Sequence, residues 1–414
     1  MTAVATAQDR IAIVAAPVFP TPARAWCALG LLFFAQMAAI GSTSYGFGLL
    51  VKPLSAEFGL PRADVNRGLM ILVLGMAFFS PLIGRALDRL PARMVLMAGA
   101  IAFAGGWLAI AASRSIPMMA AAAFLLLASG TAALGPVTAS TLTARWFVVR
   151  RGLALGIVSV SASAGGLVIV PAMAALIDHG DWRGAVATIG IVTGIAVVAL
   201  APWLLPREDK AAARNRARAA PPLTVAMLLR CRDFWLIGFA VGALMATNGA
   251  LLASLIAYGM DRGFSLAQAT MLVSTVSGAA LIGKLVIGAL ADRIDPRGLY
   301  LVVVALNAAL LIVLIAGPSY PLLLIAAVLA GPAVGGVMPL WGVIAGRRFG
   351  VASLGLAMGL TSPLTMPLNL LGLHVIGAAF DASGSYRIAF ELFLVVLVLA
   401  ALSILPVRLQ SGDK

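Results

Sequence analysis

Residues 277–293 read Ser277-Gly278-Ala279-Ala280-Leu281-Ile282-Gly283-Lys284-Leu285-Val286-Ile287-Gly288-Ala289-Leu290-Ala291-Asp292-Arg293. The run is apolar, helical in pattern and closed by a charged turn, with one lysine inside it. Eight residues separate Lys284 from Asp292, roughly 12 Å of helix. A hydrocarbon core is about 30 Å thick, so in a membrane span Lys284 lies not far from the bilayer centre. A lysine there costs about 2.5–3.5 kcal/mol on the lenient insertion scale, and such residues are rare and functional by default.

The rest of the chain says that this is a span. Of 414 residues, 62% are hydrophobic and 11% charged, against about 25% charged in soluble domains. The apolar runs are long and continuous rather than alternating, which gives an all-α integral membrane protein and not a barrel. The net charge of +14 sits in short loops between apolar runs. Topology explains it better than nucleic-acid binding does. Cys27 and Cys231 give no disulfide framework.

Apolar windows predict twelve spans, near 26–51, 68–87, 94–112, 117–144, 152–177, 184–205, 234–258, 270–291, 299–316, 322–345, 353–378 and 386–406. Residues 1–25 read as a cytoplasmic tail, with no charged start or cleavage site of a signal peptide. Residues 206–232 hold Arg207, Lys210, Arg214, Arg216, Arg218, Arg230 and Arg232 beside Pro221 and Pro222. That is a basic linker between six-helix halves at 26–205 and 233–406, and 407–414 is a second tail. With both termini inside, 21 Lys and Arg fall in inside segments and 7 outside. This asymmetry orients the chain.

The halves repeat at an offset of about 203 residues. Gly84, Asp88, Arg89 and Arg93 recur as Gly288, Asp292, Arg293 and Arg297. Leu153, Ala154 and Gly156 recur as Leu356, Ala357 and Gly359, and Asp178 and Arg183 as Asp381 and Arg387. A parallel repeat of six spans predicts two bundles related by a pseudo-two-fold axis along the membrane normal.

The loop Gly84-Arg85-Ala86-Leu87-Asp88-Arg89-Leu90-Pro91-Ala92-Arg93 resembles the signature of the major facilitator superfamily between spans 2 and 3, and Gly288 to Arg297 resembles it equally. Tyr45-Gly46-Phe47, the run Lys52, Pro53, Leu54, Glu57, Phe58, Gly59, Arg62 and Ala63, and then Trp146, Phe147, Arg150, Arg151, Leu153, Ala154 and Gly156 resemble its monocarboxylate transporter branch and bacterial relatives. The resemblance implies a major facilitator fold, alternating access, and a gating role for Gly84, Asp88, Arg89, Gly288, Asp292 and Arg293. Relatives of that branch often carry an arginine where this chain has Lys284. Animal members place an aspartate where it has Ala280, and a lysine near its Tyr45.

The residues themselves support mechanical loops. Glycine lets helices approach closely, and an aspartate at a helix end can accept from a neighbouring helix start or pair with arginine. Lys284 can bind an anion, snorkel to the surface, or pair with a carboxylate in the bundle. About 12 Å is long for a side chain reaching roughly 6 Å. Carboxylates inside spans are scarce: only Glu391 qualifies, and Arg387 can serve it. Ser277, Ala280 and Gly288 share a small-residue face with Lys284, whereas Ile282, Leu285 and Val286 suit lipid. Substrate binding is the favoured reading. Tyr45, Asn248, Trp341, Thr361 and Thr365 are further candidate contacts, with Thr361, Thr365 and Asn369 on one face of span 11.

No phosphate loop, zinc spacing or catalytic triad is present in the sequence, so no enzyme activity, metal or cofactor is expected. The expectation is a monomeric secondary transporter of the bacterial inner membrane. It moves a small organic anion, a monocarboxylate, with proton symport and no nucleic-acid partner. The alternatives are efflux of a hydrophobic drug or metabolite, and a transport-dead receptor on the same scaffold.

Overall fold

The computed structural model describes residues 22–147, 150–205, 223–407 and 409. The expected tail before residue 22, linker residues 206–222 and most of the tail after 407 lie outside the described residues. Among the described residues twelve helical spans are long and apolar enough to cross a membrane. Spans 1–6 are Ala23–Tyr45, Arg67–Arg89, Ala92–Ala112, Ile116–Trp146, Arg151–His179 and Trp182–Leu204. Spans 7–12 are Arg232–Asp261, Leu266–Ala291, Pro296–Ala316, Tyr320–Phe349, Val351–Ser383 and Arg387–Ile404.

Span 1 differs from expectation. It starts in the helix Pro22–Ile40, closes in a π turn at Gly41–Tyr45, and gives way to a separate helix, Phe47–Phe58. The apolar run Phe47-Gly48-Leu49-Leu50-Val51 continues the hydropathy signal across the interruption at Gly46, which is why sequence placed the boundary near residue 51. Part of the expected linker is also helical, at Val225–Arg230.

The chain forms two compact units. One holds spans 1–4, the 158–204 part of spans 5 and 6, and residues 349–360; the other holds residues 150–157, spans 7–10 and the chain from 361 onward. Each unit therefore includes a short piece of helix from the opposite half of the sequence. Packing within each unit uses small residues, as expected where lipid removes the hydrophobic drive between helices. In the first unit Gly130 of span 4 sits against Phe103 of span 3 and Gly41 of span 1 against Gly165 of span 5. In the second, Gly283 of span 8 sits against Pro332 of span 10, and Gly238 of span 7 against Leu364 of span 11.

Candidate functional site

Two aspartates in matching places make matching contacts. Asp88, at the end of span 2, accepts the backbone N–H groups of Gly355 at 3.2 Å and Leu356 at 2.8 Å, where span 11 begins. Asp292, just after span 8, accepts those of Gly152 at 2.6 Å and Leu153 at 3.1 Å, where span 5 begins. In each case a carboxylate meets the positive end of a helix. The glycines make this possible: neither Gly84 against Gly355 nor Gly288 against Gly152 has room for a Cβ.

The two contacts are unequal. The Asp88 side chain is only 3% exposed and also pairs with Arg145, whose guanidinium reaches the Leu87 and Val351 carbonyls. Asp292 is exposed. Arg347 donates to the Ala291 carbonyl at 3.3 Å, matching the Arg145 to Leu87 bond. Arg89 and Arg293 of the signature loops are exposed, and it is Arg145 from span 4 that serves Asp88. The Arg145 contact was missed in the sequence because it joins segments 57 residues apart. The sequence reading named acceptance from a neighbouring helix start, and its only signal for which start was the recurrence of Leu153, Ala154 and Gly156 as Leu356, Ala357 and Gly359.

Lys284 is half-buried in the second unit, and its helix is clamped on two sides. Ala280 packs its carbonyl against Gly335 of span 10, and Lys284 packs its own carbonyl against Gly156 of span 5. Ile282 is 62% exposed and Leu285 and Val286 are exposed too, the division of faces that the sequence predicts. Trp341 is buried; its neighbour Gly342 meets Leu155, adjacent to the Gly156 that meets Lys284. One step of span 5 thus contacts both the Lys284 and the Trp341 segments.

The remaining candidates in this unit lie on spans 7 and 11. Thr365 is buried, with its hydroxyl donating to the Ser362 carbonyl at 3.2 Å and its methyl against Gly242. Asn369 donates to the Thr365 carbonyl at 2.8 Å, its Oδ1 beside Gly249. Thr365 and Asn369 are therefore engaged in helix packing, and Thr361 on the same face is buried. Asn248 is buried, and its Oδ1 has no hydrogen-bond partner. Tyr45 belongs to the other unit, 52% exposed, with its ring over Gly166.

A further polar cluster lies at the far end of the first unit. Glu57 accepts from Trp182 Nε1 at 2.8 Å and from Arg183 at 2.6 Å, and Arg183 also donates to the Ala111 and Ser113 carbonyls. Sequence reasoning noticed Glu57 within a motif but not these partners. Expected ion pairing of Glu391 with Arg387 is present, at 2.8 Å.

The model of the Major Facilitator Superfamily matches residues 31–306 and 239–412. The chain belongs to the Major Facilitator Superfamily, a family of multi-pass membrane transporters. It is 29% identical over 389 residues to human monocarboxylate transporter 11, covering 88% of this chain and 79% of that one. It is 23% identical over 389 residues to the MFS-type transporter YcxA of Bacillus subtilis (strain 168), covering 90% and 93%. Among solved structures, the human organic anion transporter MFSD10 matches with a TM-score of 0.68 at 17% identity, over 93% of this chain and 100% of that one. The superfamily fold accounts for both signature loops and for the repeat.

Proposed function

We propose that this transporter moves a small organic anion, a monocarboxylate, by alternating access in the bacterial inner membrane, with proton symport. The observation that carries the reading is Lys284: a cation inside span 8, seven residues before its end at Ala291, on a helix held in place by Gly156 and Gly335. A charge at that depth is costly, and an anionic cargo offsets the cost by ion pairing. The likeness to monocarboxylate transporters supports the same class of cargo.

In this reading the Asp88 and Asp292 contacts lie on the cytoplasmic side, as do both termini. They form and break as the transporter cycles, with Gly84, Gly288, Arg89 and Arg293 in the same loops. Trp341 and Asn248 shape the site around the cargo, with Thr361 and Thr365 as further contacts. Proton and anion load together, and Lys284 is the proton carrier. The protein works as a monomer.

The test is uptake of labelled formate, lactate and oxalate into proteoliposomes, with and without an inward proton gradient. Saturable uptake of a carboxylate that the gradient accelerates is the expected result. Absence of any carboxylate uptake by folded protein would overturn the assignment of cargo.

A further inference from the structure

Span 4 is broken. The helix Ala128–Leu134 ends at Gly135, whose backbone is extended (φ −86°, ψ −161°), and a second helix, Pro136–Trp146, starts there. Eleven residues separate Gly135 from Trp146, about 16 Å, close to half of a hydrocarbon core of about 30 Å. Proline alone does not cause the break. Its repeat partner is Pro339, and span 10 runs unbroken through it from Tyr320 to Phe349.

Non-helical backbone at this depth is tolerated only where protein buries it or a polar cavity receives it. The helix Pro136–Trp146 begins without a side-chain cap, and its first bond is from the Ala139 N–H to the Gly135 carbonyl at 3.1 Å. Pro136 has no N–H. The amides of Val137 and Thr138 therefore stand at the positive end of the helix dipole.

Three side chains add to this. Thr138, in the first turn, is 0% exposed, and its hydroxyl has no hydrogen-bond partner. The hydroxyl of Thr131, one turn before the break, is in the same condition. So is Oε1 of Gln36, 3% exposed in span 1, which packs against both pieces of span 4. Thirteen residues from Ala23, Gln36 is about 20 Å along its span, level with the break and Thr131. All belong to one unit. Hydroxyl and backbone N–H donors around a helix start favour an anion over a cation.

We propose that the start of the helix Pro136–Trp146 is a carboxylate-binding position of its own, in the N-terminal half and additional to Lys284. The Val137 and Thr138 amides and the Thr138 hydroxyl hold the carboxylate, and Gln36, its carboxamide turned so that Nε2 rather than Oε1 faces the anion, completes the set. This rests on the reading of the cargo as an organic anion.

The test is binding of formate, lactate and oxalate to the purified full-length protein, followed by calorimetry. Thr138→Val should weaken the best-bound carboxylate about ten-fold or more, because a hydrogen bond to a charged group is lost. Thr138→Ser should restore it. Thr143→Val removes another buried, unpartnered hydroxyl of the same helix and should change nothing. Gln36→Leu gives a second reading from span 1 should Thr138→Val fail to fold. Unchanged affinity in Thr138→Val and Gln36→Leu, alongside lost affinity in Lys284→Ala, overturns this site and leaves the proposed function standing. Lost affinity in Thr138→Val with intact affinity in Lys284→Ala supports the site and removes the lysine as anchor. If the wild type binds none of the three, both readings fall.

Discussion

Asp292 accepts the backbone N–H of Gly152 at 2.6 Å, and a Cβ on Gly152 would collide with the Gly288 carbonyl. The ion–dipole contact and the close helix approach are thus one arrangement, since the carboxylate reaches the amide only because two glycines meet. Asp88 and Gly355 repeat it in the other unit, with Arg145 added.

The unequal burial of the two aspartates predicts unequal consequences. Asp88→Asn should lower the maximal uptake rate by about ten-fold or more, a barrier change of ~1.4 kcal/mol, and Asp292→Asn by less, because water screens an exposed carboxylate. Carboxylate affinity should stay within a few-fold in both. Parallel kinetics and calorimetry check this; affinity that falls together with rate would count against a gating role.

Gly288→Ala places a methyl group where the Gly152 carbonyl lies. Overpacking of this kind typically costs about 1–3 kcal/mol. The variant should reach the membrane, melt at a shifted temperature, and lose most uptake. Gly298→Ala, with nothing within 4 Å of its new Cβ, is the control expected to transport normally.

Lys284→Ala should weaken carboxylate binding by roughly 30- to 5,000-fold, the equivalent of losing about 2–5 kcal/mol from a desolvated charge pair. Lys284→Arg should keep part of the function with altered preference, since a planar fork and a point charge hold a carboxylate differently. A Lys284→Ala protein of normal abundance and melting temperature with unchanged uptake would make the lysine structural and the cargo neutral or hydrophobic.

Glu57 predicts an acid-dependent loss of stability. Hydrogen bonds from Arg183 and Trp182 hold its carboxyl below the usual range. A depressed folded-state pKa contributes stability that is present above the unfolded value, about 4.3. That contribution is lost as pH falls through the folded value. The Glu57 side chain is 40% exposed, so the contribution is small, about 0.2–1 kcal/mol. Melting curves of wild type and Glu57→Gln should differ slightly at pH 7 and converge near pH 3. An equal gap at both pH values would rule out the carboxylate as its source.

Span existence and the signature loops were legible in the sequence because both depend on local chemistry. A span needs about 20 apolar residues, and Lys284 stands out against any such run. Boundaries were less legible: Phe47 to Val51 are apolar, yet a π turn at Gly41–Tyr45 interrupts the α-helix before them. The break in span 4 had a signal, since Gly135-Pro136 is a turn dipeptide, but Pro339 shows that proline inside an apolar run does not by itself break the helix.

Composition, hydropathy and the 203-residue repeat determined by themselves that this chain is a twelve-span membrane protein with two matching loops and a lysine inside a span. Only the tertiary structure decided what those residues touch. Asp88 finds Arg145 rather than Arg89, Thr365 turns its methyl to Gly242, and the step Leu155–Gly156 contacts both the Lys284 and the Trp341 segments. The physical reason is range. Hydropathy and helix formation act within a few turns of one segment. Contacts between spans depend on which helix faces come within van der Waals distance, and here glycines scattered across distant spans set that distance.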